Sequence, residues 1–176
     1  ISLGLVGSEM CIRDSAKVYR TPDGGDTWTT AATLTASDGA KNDYFGRSVA
    51  VAGDTIFVGA YGDDDDGTNS GSVYVFRTTD GGATYDEVET LKASSPKAGA
   101  NFGNALAADG DTLVIGAYSD NSYKGAVYVF RKSGSTYAQV ARLTGSGVAS
   151  DDEFGTSVDV SGDTIVCLLY TSDAAD

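Results

Sequence analysis

Histidine is absent from all 176 residues, and the chain has only two cysteines, two prolines and one methionine. Without His, the common His-based triads and His-ligated zinc sites cannot be assembled from this sequence. Bases are scarce as well: 12 Lys and Arg stand against 25 Asp and Glu, for a net charge of −13. Nucleic-acid binders need a basic footprint, and anionic membrane surfaces attract Lys and Arg. Neither nucleic acid nor membrane is therefore expected as a partner. No stretch approaches the roughly 20 apolar residues of a membrane-spanning helix.

The two ends read unlike the rest. Met10-Cys11-Ile12-Arg13-Asp14 back-translates to the start of ATGTGTATAAGAGACAG. The reverse complement of that oligonucleotide, read from its second base, encodes Cys167-Leu168-Leu169-Tyr170-Thr171. Both ends resemble a translated sequencing adapter. Residues 1–15 and 167–176 are accordingly expected to be non-native tails and are set aside from fold reasoning. Both cysteines, Cys11 and Cys167, fall in them, so no disulfide framework or thiol site remains. Leaving out Glu9, Asp14, Asp173, Asp176 and the single base Arg13 brings the net charge from −13 to −10. The true N-terminus is expected to be missing, so the lack of a signal peptide carries no information.

What is present is a repeat. Its best copy runs from Asp43 to Leu91, opening on Tyr44-Phe45-Gly46 and passing through Gly59-Ala60-Tyr61. Ser48 to Ala52 and Ile56 to Ala60 are short runs of small and β-branched residues, as expected of strands covered on both faces. Gly53-Asp54 between them is a two-residue hairpin signal. Ser72 to Arg77 is a third strand. Tyr85 to Leu91 is a charged fourth one, and charge marks an outer edge. Phe102-Gly103 and Gly116-Ala117-Tyr118 repeat the motif at an offset of 57, and Ala126 to Arg131 repeats the third strand at 54. A third Phe-Gly begins at Phe154. Four short strands per unit of roughly 40–50 residues are the signature of a propeller blade. The expected fold is all-β: a β-propeller fragment with complete four-stranded blades at 43–91 and 102–143, flanked by partial blades at 16–34 and 154–166. Known propellers close with at least about four blades, so the end blades should expose apolar faces and solubility should be poor.

Phe-Gly followed by Gly-Ala-Tyr resembles the FG-GAP repeat of integrin α-subunit propellers and many secreted or surface proteins. The resemblance covers nearly all of 16–166 and is to a form without the calcium loop. In integrins that loop lies between the Phe-Gly and Gly-Ala strands. Here the connections are only Gly53-Asp54-Thr55, Gly110-Asp111-Thr112 and Gly162-Asp163-Thr164, too short to supply 6–8 oxygen ligands. The resemblance implies that the Phe plugs between blades.

One acidic run needs its own reading. Asp63-Asp64-Asp65-Asp66-Gly67-Thr68-Asn69 could wrap a hard cation. The matching loop Ser119-Asp120-Asn121-Ser122-Tyr123-Lys124 has lost the run and gained a Lys, so a solvated acidic loop is expected instead. Asp151-Asp152-Glu153 is read as solvated surface as well. No metal or cofactor is expected.

Thr21-x-Asp23-x-Gly25-x-Thr27-Trp28 matches the Asp-box of sialidase propellers, and Thr78-x-Asp80 to Tyr85 is a second copy. Ser133 to Tyr137 is a shortened relic. The pattern specifies a turn, because Asp caps backbone N–H groups and Gly supplies the twist. A sialidase also needs an arginine cluster, a Tyr nucleophile and an acid/base Asp. Outside the tails the arginines are Arg20, Arg47, Arg77, Arg131 and Arg142, of which Arg20, Arg77 and Arg131 share one strand-end position.

No catalytic residue is assigned. The expected role is a non-catalytic segment of a larger extracellular or cell-surface protein, serving interaction or adhesion. A protein or glycan ligand would meet the loop face, with Asp63–Ser70 and Ser119–Lys124 as contact candidates. The alternative is the propeller portion of a secreted, sialidase-like hydrolase.

Overall fold

A computed structural model describes residues 14–170. Its strands are β1 (Ala16–Arg20), β2 (Thr29–Leu34), β3 (Ser48–Ala52), β4 (Thr55–Ala60), β5 (Ser72–Arg77) and β6 (Asp86–Leu91). They continue as β7 (Ala105–Asp109), β8 (Thr112–Ala117), β9 (Ala126–Ser133), β10 (Thr136–Leu143), β11 (Val158–Ser161) and β12 (Thr164–Cys167). The named strands pair antiparallel between chain neighbours: β1-β2, then β3-β4-β5-β6, then β7-β8-β9-β10, then β11-β12. This is the expected series of two complete meanders flanked by two partial ones.

The blades stack because their middle strands are apolar on both faces. Every residue of β4 and β8 is buried. Along β5, Val73 and Val75 face the following blade, while Tyr74 and Phe76 face the preceding one. Each such side chain contributes about 1.5–3 kcal/mol by leaving water, so neighbouring blades are needed for a meander of this size to hold. Phe45 and Phe102 plug the seams as expected. Phe45 meets Tyr74 and Phe76 edge-on at 5.5 and 6.1 Å; Phe102 meets Tyr128 and Phe130 at 5.3 and 6.1 Å.

The outer strands are edges, as their charge suggested. Those charges also tie blades together: Glu87 accepts from the backbone and hydroxyl of Ser37, and Glu89 accepts from the Tyr137 N–H. Each outer strand carries a bulge at the same place, opposite Val18/Tyr19, Val75/Phe76 and Val129/Phe130. A bulge adds local twist. It leaves Val88 and Val140 exposed.

The inner strands lie side by side, β3 next to β7 and β7 next to β11. On β3, Ala50 and Ala52 pack toward β7, whereas Val49 and Val51 are 55% and 62% exposed. Among the described residues no inner strand covers that second face.

Cys167, assigned by sequence to the C-terminal tail, closes β12 opposite Val158. Beyond it, Leu168 exchanges backbone hydrogen bonds with Gly155 and Ser157. Backbone pairing is indifferent to side chain, so it extends past the point where the repeat pattern stops. Residues 1–13 and 171–176, most of the expected tails, lie outside the described residues. Among the described residues no helix is long and apolar enough to cross a membrane.

Candidate functional site

Phe-Gly opens the inner strand and Gly-Ala-Tyr closes the second, so antiparallel pairing brings both motifs to one end of each blade. Gly46 donates to the Gly59 carbonyl and Gly103 to that of Gly116, each at 3.0 Å. This end is the loop face. The hairpins between third and fourth strands lie at the other end, beside the Gly-Asp turns: the Thr78 N–H donates to Asp54 O.

On the loop face a cleft of about 330 Å³ crosses three successive blades, lined by Arg47, Tyr61, Asn104, Tyr118, Glu153 and Thr156. Five of its six residues come from two repeated positions, and the sixth, Glu153, precedes the third Phe-Gly. Arg47, Asn104 and Thr156 each follow a Phe-Gly; Tyr61 and Tyr118 each end a Gly-Ala-Tyr. Asn104 holds the middle wall: its amide donates to Thr156 O at 3.2 Å and its carbonyl oxygen accepts from the Tyr118 N–H at 3.3 Å. The Tyr61 backbone is held from the next blade by the Asn101 amide. Arg47 and Glu153, by contrast, make no side-chain hydrogen bond or ion pair to other described residues. Burial raises the Tyr61 phenol above its ordinary pKa, an effect that Arg47 opposes.

Two further tyrosines pack against those of the cleft. Tyr44 stacks on Tyr61 with ring centres 4.9 Å apart and planes within 2°. Tyr123 lies against Tyr118 at 6.1 Å. Both Tyr44 and Tyr123 have left-handed backbones, φ 56° and 59°, and are about half exposed. A bulky residue rarely adopts this conformation, and it costs of order 1–2 kcal/mol. The loop Asp120–Tyr123 winds left-handed through Asn121, Ser122 and Tyr123.

The two loops favoured by sequence have a structural task. Gly99, Asn101 and Phe102 donate to the carbonyls of Thr68, Asn69 and Ser70, while Glu153 and Phe154 donate to those of Tyr123 and Lys124. They stitch each blade to the next, and the binding surface they leave is narrower than expected.

The acidic run is not a uniformly solvated loop. Asp63 is buried, accepting from the Tyr74 hydroxyl at 2.9 Å; the same hydroxyl lies 2.8 Å from Asp38. Burial, first, and then these two carboxylates push the Tyr74 phenol far above its ordinary value. Asp64 accepts from the Asn69 N–H, and Asp65 and Asp66 pair with Lys92. Among the described residues no group of three His, Cys, Asp or Glu side chains is placed to hold a metal ion. The repeat-equivalent Asp120 is fully buried, bound by Arg142, Lys97 at 2.8 Å and Tyr128 at 2.9 Å. Asp152 is buried too, contrary to the solvated reading, and accepts from the Ala149 N–H just as Asp43 accepts from Ala40. An Asp three residues past Gly-Ala in both blades was a visible signal of burial, masked by the neighbouring acids.

The turns at Asp23 and Asp80, matched by sequence to an Asp-box, close as their turn residues imply. Asp23 accepts from Thr27 N–H, Thr27 Oγ1 and Thr21 Oγ1; Asp80 does the same with Thr84 and Thr78. These bonds hold both carboxyls far below the usual range. Arg20 reaches the next blade's box at Tyr85 Oη, and Arg77 reaches Ser135 O. Their repeated position is thus a blade-to-blade tie at the end away from the cleft.

The FG-GAP repeat family model matches residues 28–76, 85–130 and 137–174, well over half of the chain. This chain belongs to the FG-GAP repeat family. Each of the three matched spans begins at the fourth strand of one blade and runs on into the next, so the FG-GAP frame straddles a seam. The third span continues beyond Val166 into the stretch read as a tail. No curated protein matches the chain.

Proposed function

We propose that this FG-GAP segment is part of an extracellular or cell-surface protein and acts as a non-catalytic interaction scaffold. Its ligand, protein or glycan, is met on the loop face. The observation supporting this is the cleft through Arg47, Tyr61 and Tyr118, which draws on three blades and carries two uncommitted charged side chains. Stacked blades supply a rigid frame, and binding groups on a rigid frame lose little freedom on association. The hydrolase alternative has one observation behind it, the two fully bonded Asp-boxes, which lie at the opposite end from the cleft.

The experiment is to present the tagged chain to a panel of extracellular-matrix proteins and glycans. Binding lost on Arg47→Ala and kept on Asp80→Ala supports the scaffold. Turnover of a fluorogenic sialoside by the chain would replace it with the hydrolase.

A further inference from the structure

We infer that the loop-face cleft is a sugar-binding site that takes a neutral oligosaccharide. The inference rests on the scaffold reading and narrows its ligand to a glycan. Two tyrosines line the cleft, Tyr61 and Tyr118, and two more pack against them, Tyr44 stacked on Tyr61 and Tyr123 tilted by 55° against Tyr118. A tyrosine combines an apolar ring face with a polar tip. A sugar ring is complementary, with C–H groups on its faces and hydroxyls around its rim.

The rest of the lining fits the same chemistry. Arg47 offers donors only and Glu153 in its ionised form offers acceptors only, while the Thr156 hydroxyl, which donates to Glu153 O at 2.8 Å, keeps acceptor capacity. Charges of opposite sign in one cleft leave it no net charge to select an ion. The chain's charge of −13 also disfavours anionic ligands. A volume of about 330 Å³ is at the small end of ligand pockets and suits a few sugar units, not a folded partner.

A peptide fits less well. Strand addition needs free backbone groups at a sheet edge. At this end of the blades the Gly46, Gly103 and Gly155 N–H groups are already bonded across the inner hairpins, and Asn104 is committed on both sides. The cleft therefore presents side chains, not backbone. Two of the flanking rings are held on left-handed backbone, a cost that persists where surrounding structure imposes it, and one that clusters at binding sites.

The test uses the whole chain with maltotriose, cellotriose and chitotriose as probes, read by saturation-transfer NMR and titration. At least one should bind at or below about 10 mM, and Tyr61→Ala with Tyr118→Ala should weaken it at least about ten-fold. Arg47→Ala and Glu153→Gln, the first on an exposed side chain and the second a near-isosteric change on a half-buried one, keep the test open should the tyrosine variant misfold; each should weaken binding several-fold. The inference falls if none of the three binds, if binding survives Arg47→Ala and Glu153→Gln, or if sialyllactose binds tighter than every neutral sugar. Should the sugars fail while a matrix protein binds in an Arg47-dependent way, the scaffold reading stands without the sugar. Should both fail, both readings fall.

Discussion

Gly59 of one blade lies directly against the carbonyl oxygen of Gly103 in the next, so that a Cβ at position 59 would overlap it. Gly116 meets Gly155 in the same way one blade later. The seam is a contact of bare backbones. Its closeness brings the inner strands together and sets the spacing of Arg47, Asn104 and Thr156 around the cleft.

Gly59→Ala should therefore pry two blades apart. Overpacking a tight site costs about 1–3 kcal/mol. Thermal unfolding should show a lower Tm than for Val88→Ala, an exposed bulge residue. An unchanged Tm for Gly59→Ala would mean the seam is looser than described.

Asp120 and Asp63 occupy one repeat position with opposite surroundings. Asp120 is surrounded by Arg142 and Lys97, whose side chains are 35% and 50% exposed. Removing one partner of a buried pair costs about 3–5 kcal/mol, and partial exposure of the cations reduces that toward about 2. Asp120→Asn should be destabilising by that amount in urea unfolding. Asp63→Asn should be neutral or stabilising, because Asp63 faces Asp38 across Tyr74 and no described cation. Equal losses for the two variants would refute the distinction.

The two environments also predict a pH profile. Burial raises the Asp43 carboxyl, the Ala40 N–H opposes this, and Asp63, Asp64 and Asp38 add to it. A carboxyl raised in the folded state costs stability when ionised, so acidification from neutrality toward pH 4 should recover stability as Asp43 protonates. Asp120 is lowered: burial acts against it, but Lys97, Arg142 and Tyr128 prevail. Its contribution is present above its ordinary value of 3.8 and lost as pH falls further, through its folded pKa. Tm against pH should thus rise and then fall on acidification, and Asp43→Asn should flatten the rise.

Asp63 is committed to Tyr74, and Asp65 and Asp66 to Lys92, so calcium should not raise Tm beyond the effect of magnesium. A calcium-specific rise abolished by Asp63→Ala with Asp65→Ala would show that the loop reorganises around the ion.

What the sequence by itself determined is local. Strand positions, the Gly-Asp hairpins, the Asp-box turns and the charged outer strands follow from alternation, turn residues and edge chemistry, each acting within a few residues. The repeat then dictates stacked blades, since a meander apolar on both faces has no other way to leave water. Tertiary structure alone decided the cleft. Arg47 and Tyr61 lie in one blade, Asn104 in the next and Glu153 at the start of the third, and the glycine seams bring them together. The same holds for the acids: Asp63 and Asp120 are equivalent in sequence, yet one meets another carboxylate and the other two cations. Charge in a folded protein depends on what distant stretches supply, here Arg142 on the fourth strand and Lys97 and Asp38 in the connectors between blades, which a linear reading of Asp63–Asp66 does not contain.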